Sequence, residues 1–175
     1  ALTAHHGLRT LVFDLDPQAD ATSVLLGHQA EIGATIREVL WAPRPAGDVM
    51  VPSACHPDLL VVPGSGELAS DEKHVTPQQW EEIAQDAQQT LLGGIPDDID
   101  VVVIDTPPSL GLWMHCALAA ADGYVLIGVP SMLSARGMGR FIETAEKVRD
   151  QINPNLRRLG VVVNNVRPVA EDDGY

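Results

Sequence analysis

Cysteine is scarce. The 175-residue chain has two, Cys55 and Cys116, far apart and in no C-x-x-C pair. That argues against a zinc ribbon or a disulfide framework and makes reduced thiols the default. Lysine is equally scarce: Lys73 and Lys147 are the only two, and neither lies in a glycine-rich loop. No G-x-x-x-x-G-K-[ST] occurs, so this stretch carries no lysine-bearing phosphate loop. No G-x-G-x-x-G follows the first apolar run, which disfavours a dinucleotide-binding dehydrogenase. No apolar run approaches the roughly 20 residues that span a bilayer. The opening Ala1-Leu-Thr-Ala-His-His-Gly7 lacks the basic segment and apolar core of a signal peptide. The six histidines show no metal-ligand spacing.

Positive charge is also sparse. A net charge of −13 argues against broad nucleic-acid binding by the chain as a whole. Residues 136–167 nevertheless hold seven of the eleven basic residues against three acids, about +4 locally. Arg149, Arg157 and Arg158 are the candidates there for contact with DNA phosphates; a solvated helix face is the plainer alternative.

What is present is a series of short apolar runs separated by helical patterns. Residues 10–14, 58–63, 100–105, 124–129 and 159–163 read as buried strands of a parallel sheet. Thr76-Pro-Gln-Gln79 reads as a capping box opening a helix that Gly93-Gly94 closes. Ser109 is expected to cap a helix burying Trp113 and Leu118, and residues 135–152 to form another that Pro154 stops. Residues 1–6 read as the tail of a helix, and 42–57 as a loop. The alternation predicts an α/β domain over 1–175: a doubly wound, mostly parallel sheet with helices on both faces.

Two strands end in aspartate and then meet proline: Leu11-Val-Phe-Asp-Leu-Asp-Pro-Gln18 and Asp100-Val-Val-Val-Ile-Asp-Thr-Pro-Pro-Ser109. Ligands of open parallel sheets sit beyond the carboxyl ends of the strands, so Asp14, Asp16 and Asp105 are expected at one rim. Hard oxygen ligands there suit Mg²⁺ and phosphate chemistry. Pro63-Gly-Ser-Gly66 has no lysine and reads as a plain loop.

These segments resemble the ParA family of deviant Walker ATPases, the partition proteins related to MinD. Residues 9–22 are similar to its D-x-D-P-Q-x-x-x-T motif, 100–109 to its Walker B segment ending D-x-P-P-S, and Gly160-Val-Val-Val-Asn-Asn165 to the later strand beside the adenine. The resemblance covers about residues 7 to 167 and implies a P-loop NTPase-like fold of the deviant Walker type. By it, Asp16 orients or activates the attacking water, and Pro17 holds Asp16 out of helical geometry. Asp105 holds Mg²⁺ through water, and Asp14 supports the Mg²⁺ shell. Pro107 and Pro108 form a stiff turn near the γ-phosphate, and Asn164 or Asn165 contacts the adenine, with turn formation the alternative for the asparagines.

The resemblance also implies a Mg²⁺-dependent ATPase of plasmid or chromosome partition. It would form an ATP-dependent homodimer, bind DNA nonspecifically, and answer to a ParB-type centromere-binding partner. It would be cytoplasmic and nucleoid-associated, with no membrane contact. In that family a first strand and a phosphate loop stand before the position of residue 1, and more strand and helix follow residue 175. The chain is therefore expected to be an internal part of a longer one. A non-catalytic binding module on the same fold, or a MinD-like positioning ATPase, are the alternatives.

Overall fold

The computed structural model describes residues 2–42, 44–129 and 132–165. Its elements, in chain order, are α1 (Leu2–His6), β1 (Thr10–Asp14), α2 (Asp20–Leu26), α3 (Ile36–Trp41), β2 (Val51–Pro52), β3 (Leu59–Val62), α4 (Leu68–His74), α5 (Pro77–Leu92), β4 (Val101–Asp105), α6 (Leu112–Ala120), β5 (Gly123–Gly128), α7 (Met132–Gln151) and β6 (Arg157–Val163). A 3-10 turn spans Ala46–Asp48.

The apolar runs form strands because every long one joins a parallel ladder. β1 pairs in parallel with β3 on one side and β4 on the other, giving the order β2-β3-β1-β4. β5 and β6 form a second parallel pair. Side chains alternate across β1. Leu11 and Phe13 enter the main core with Leu60 and Val62 of β3 and with Leu112, Trp113 and Leu91 of the helices. Val12 and Asp14 face the other way, toward the start of α2. Trp113 is fully buried, packs edge-on to Trp41 at 6.2 Å, and donates its indole N–H to the Leu68 carbonyl.

Local chemistry accounts for the helix starts. Thr76 accepts from the Gln79 N–H while Gln79 accepts from that of Thr76, the reciprocal box expected there. The 42–57 stretch holds more order than expected. Val51–Pro52 adds an antiparallel edge strand to β3, a position proline tolerates. Just before it, α3 opens on a second capping box, Thr35 with Glu38. The hydrogen bonds from Thr35 hold the Glu38 carboxyl below its ordinary range. The helix after β4 starts on Gly111 rather than Ser109, because the Glu72 carboxylate of α4 accepts the Leu112 N–H. α7 begins at Met132, three residues earlier than expected, and β6 at Arg157, two earlier.

Among the described residues, β4 pairs only with β1 and β5 only with β6. Each keeps one edge without a partner strand. Near those edges apolar side chains stand in solvent: Val103 is 40% exposed, Val125 48% and Ile127 71%.

Candidate functional site

The carboxyl ends of β1 and β4 lie side by side. Asp14 and Asp105 are register partners, and the Leu15 N–H extends the ladder by donating to the Asp105 carbonyl at 2.9 Å. Register partners in parallel strands point to the same face, so the two carboxylates neighbour each other.

Their environments differ sharply. Asp14 is fully buried. Its Oδ2 accepts from the Thr22 N–H at 2.8 Å and from the Thr22 hydroxyl at 2.6 Å, and its Oδ1 accepts from the Asp16 N–H at 3.2 Å. The Asp14 carboxylate, expected to support the Mg²⁺ shell, faces α2 and the Asp16 loop, with both oxygens accepting hydrogen bonds. Asp105 is exposed, and its pKa is raised, first by partial desolvation and then by the charges of Asp14, Asp16 and Asp20. Asp16 is half-buried, its Oδ1 accepting from the Gln18 N–H at 2.9 Å. The loop closes with Ala19 in the left-handed region, φ 53°, where its N–H donates to the Asp16 carbonyl. A non-glycine residue there carries about 1 kcal/mol of strain.

Three participants received no role from the sequence. Asp20, in the first turn of α2, bears on Asp105 electrostatically. Thr22 carries the inward hydrogen bonds, and its spacing from Asp14 was the available signal. Gly64 belongs to the segment expected to be a plain loop. Its N–H donates to the Thr22 hydroxyl at 2.8 Å, and a Cβ on it would meet the Asp14 carboxyl carbon at 2.9 Å. The Pro63–Gly66 loop thus backs the Asp16 loop.

Among the described residues no ion pair reaches these four acids, and no three His, Cys, Asp or Glu side chains form a metal cage. A concentration of negative charge without a protein counter-charge suits a cation that keeps most of its waters. Mg²⁺ is held in that manner, by one or two carboxylates plus substrate phosphates. The exposed Asp105 is the donor that fits, with the charges of Asp14, Asp16 and Asp20 around it.

The remaining expected residues lie elsewhere on the rim or away from it. Pro107 is buried and Pro108 exposed in the turn after β4. Asn164 follows β6; its N–H extends the ladder to the Gly128 carbonyl, and its side chain accepts from the Asn165 N–H in a turn with Asn165 at φ 56°. Arg149 and Arg158 line one cleft of about 140 Å³ with Tyr124 and Glu146, while Arg157 does not reach it. Arg149 also pairs with the neighbouring Asp150 at 2.9 Å. Among the described residues no helix is long and apolar enough to cross a membrane.

Comparison with known proteins bears on this arrangement. A family model described as an AAA domain matches residues 1–158. The chromosome partitioning protein ParA of Myxococcus xanthus is 33% identical, over 89% of this chain and 53% of its own length. The chromosome-partitioning ATPase Soj of Thermus thermophilus is 33% identical, over 93% of this chain and 59% of its own. Among solved structures, a cobyrinic acid a,c-diamide synthase from Mycobacterium smegmatis, with bound ATP analog and magnesium, superposes with a TM-score of 0.75 at 29% identity. That match covers 90% of this chain and 63% of that one. The chain spans between 53% and 63% of the length of these relatives. With the D-x-D-P-Q and D-T-P-P-S segments brought to one rim of an α/β sheet, the chain belongs to the ParA family of P-loop ATPases.

Proposed function

We propose that the protein of which this chain is part binds Mg·ATP at the rim of β1 and β4, hydrolyses it, and uses the cycle to switch its hold on DNA and on a partner during plasmid or chromosome partition. The observation that carries the reading is the register pairing of Asp14 with Asp105, with Asp16 just beyond. Such a pocket of negative charge favours a divalent cation over water alone.

Asp16 orients the attacking water, its backbone fixed by Asp14 and its side chain steadied by the Gln18 N–H. Asp105 would hold Mg²⁺ through a water molecule, and the ion would supply charge neutralisation at the phosphates. Pro107 and Pro108 stiffen the turn beside the terminal phosphate. Asn164, with Asn165 as its neighbour, contacts the adenine. Among the described residues β4 and β5 each keep a free edge, and a strand seated between them would pair both. DNA contact falls to Arg149 and Arg158, which share a cleft, more than to Arg157. An ATP-dependent homodimer and a ParB-type partner complete the switch, whose two states differ in contacts to the γ-phosphate.

The test is steady-state ATP hydrolysis by the intact protein. Asp16→Ala is expected to lower kcat about 100-fold or more while leaving Mg·ATP binding in place. Hydrolysis unchanged by Asp16→Ala overturns the assignment.

A further inference from the structure

Three separate segments meet at one hydroxyl group. Thr22 is 2% exposed at the start of α2. Its Oγ1 lies 2.8 Å from the Gly64 nitrogen of the loop after β3 and 2.6 Å from Asp14 Oδ2 at the end of β1. The direction of these bonds is fixed by chemistry. The Gly64 N–H can only donate, so the hydroxyl accepts there and sends its proton to Asp14. Oδ2 then takes two donors from Thr22, its hydroxyl and its N–H, and Oδ1 faces the Asp16 N–H. Both oxygens of the carboxylate are thus held. A Cβ on Gly64 would be 3.0 Å from Oδ2, so the third side of the carboxylate is closed by backbone.

We infer that Thr22 is a positioning residue for Asp16, acting through Asp14. The chain of contacts runs from Gly64 to the Thr22 hydroxyl, to Asp14, to the Asp16 N–H. It sets where the Asp16 loop leaves β1. The same relay couples that loop to Pro63–Gly66, whose Pro63 carbonyl accepts the Ile36 N–H at 2.7 Å and so anchors α3 as well. Without the hydroxyl, Gly64 loses its acceptor and Asp14 loses its shortest hydrogen bond. The carboxylate then keeps only the backbone donors of residues 22 and 16, and its hold on the Asp16 loop loosens. A displacement of about 1 Å in a group that orients a reactant lowers turnover by about 100-fold without a matching loss of binding. The inference rests on the proposed role of Asp16.

The experiment compares Thr22→Val, which keeps the branched shape without the hydroxyl, with Thr22→Ser, which keeps the hydroxyl. It is run on the intact protein. Thr22→Val is expected to lower kcat for ATP about 10–100-fold with the Kd for Mg·ATP within about twofold, and to speed hydrogen exchange at the Asp16 amide about 10-fold or more; Thr22→Ser restores both. Wild-type kcat in Thr22→Val, an equal fall in binding and turnover, or failure of Thr22→Ser to restore them overturns the inference. If the wild-type protein hydrolyses no ATP, the proposed function fails, and protection of the Asp16 amide decides the positioning claim alone. The wild-type protein supplies a check that needs no variant to fold. The Thr22 hydroxyl proton is expected as a resolved, slowly exchanging resonance, and rapid exchange with water overturns the relay.

Discussion

Gly64→Ala and Gly66→Ala make a paired test of how tightly the Asp14 lock is built. Both glycines lie in the same four-residue loop, and neither needs a positive φ. At Gly64 an added Cβ would meet three atoms of buried Asp14: Cγ at 2.9 Å, Oδ2 at 3.0 Å and the carbonyl oxygen at 3.1 Å. Asp14 cannot yield without stretching its bonds to Thr22, at 2.6 and 2.8 Å. Overpacking of a tight interior costs about 1–3 kcal/mol. A weakened hydrogen bond to a charged group adds about 1.5–3 kcal/mol when lost outright. Alanine returns about 0.4–1 kcal/mol by restricting the unfolded chain. The net expectation is a loss of about 2–4 kcal/mol, less than the full sum because the bonds are strained more than broken.

At Gly66 the nearest atom, the Pro17 carbonyl oxygen, stands 3.7 Å from the added carbon, an ordinary contact. Gly66→Ala is therefore neutral or stabilising by up to about 1 kcal/mol. Urea unfolding of the intact protein separates the two. With a slope of about 2 kcal/mol/M, Gly64→Ala lowers the midpoint by about 1–2 M and Gly66→Ala leaves or raises it. Equal midpoints for the pair, or a larger loss at Gly66, would refute the reasoning.

Two further expectations concern titrating groups. Burial, with a smaller effect from the Glu72 charge, pushes the Cys116 thiol up to about 12, whereas Cys55 is exposed. A thiol reagent at pH 8 is expected to label Cys55 in the folded protein and spare Cys116, and both only after unfolding; mass spectrometry reads the result. The folded-state pKa of Asp105 lies above its unfolded value, so its contribution is favourable below the unfolded pKa and is lost as pH rises through the folded one. Asp105→Asn therefore stabilises the metal-free protein near neutral pH. Solvent screening at this exposed group limits the gain to less than about 1 kcal/mol. The advantage disappears on acidification below the ordinary carboxylate range. Thermal unfolding in chelator at several pH values checks the sign.

The long strands were legible because each is a continuous apolar run, whether buried, as β1 and β3 are, or largely exposed, as β6 is. β1 matched to the residue. The start of β6 was hidden by Arg157 and Arg158, whose backbones pair with Gly123 and Tyr124 while their side chains remain in solvent. α2 was illegible because it opens on a left-handed Ala19 with no side-chain cap, so no local signal marks it. α3 did carry a signal, Thr35 three residues before Glu38, which the proline-rich stretch after it masked. The start of α6 was set from a distance: Glu72 is 40 residues away from the N–H it accepts.

At the site the pattern is similar. The rim itself was readable, since strand-terminal aspartates in parallel strands must gather at the carboxyl ends. What each aspartate does there was not. Asp14 and Asp105 stand in like sequence positions, each closing an apolar run. Thr22, itself held by Gly64, turns the first inward, while the second stays exposed at the rim. That distinction belongs to residues brought together across the fold, and alternation along one strand carries no trace of it.

The central claim is that this rim, completed in the intact protein, is a Mg·ATP site. Isothermal calorimetry of the intact protein with ATP, in the presence and absence of Mg²⁺ and with GTP as the control, tests it most directly. The account predicts saturable, Mg²⁺-dependent ATP binding, with GTP weaker by about 10-fold or more, as expected when purine-edge hydrogen bonds discriminate. No ATP binding by the intact protein, or binding indifferent to Mg²⁺, would contradict it.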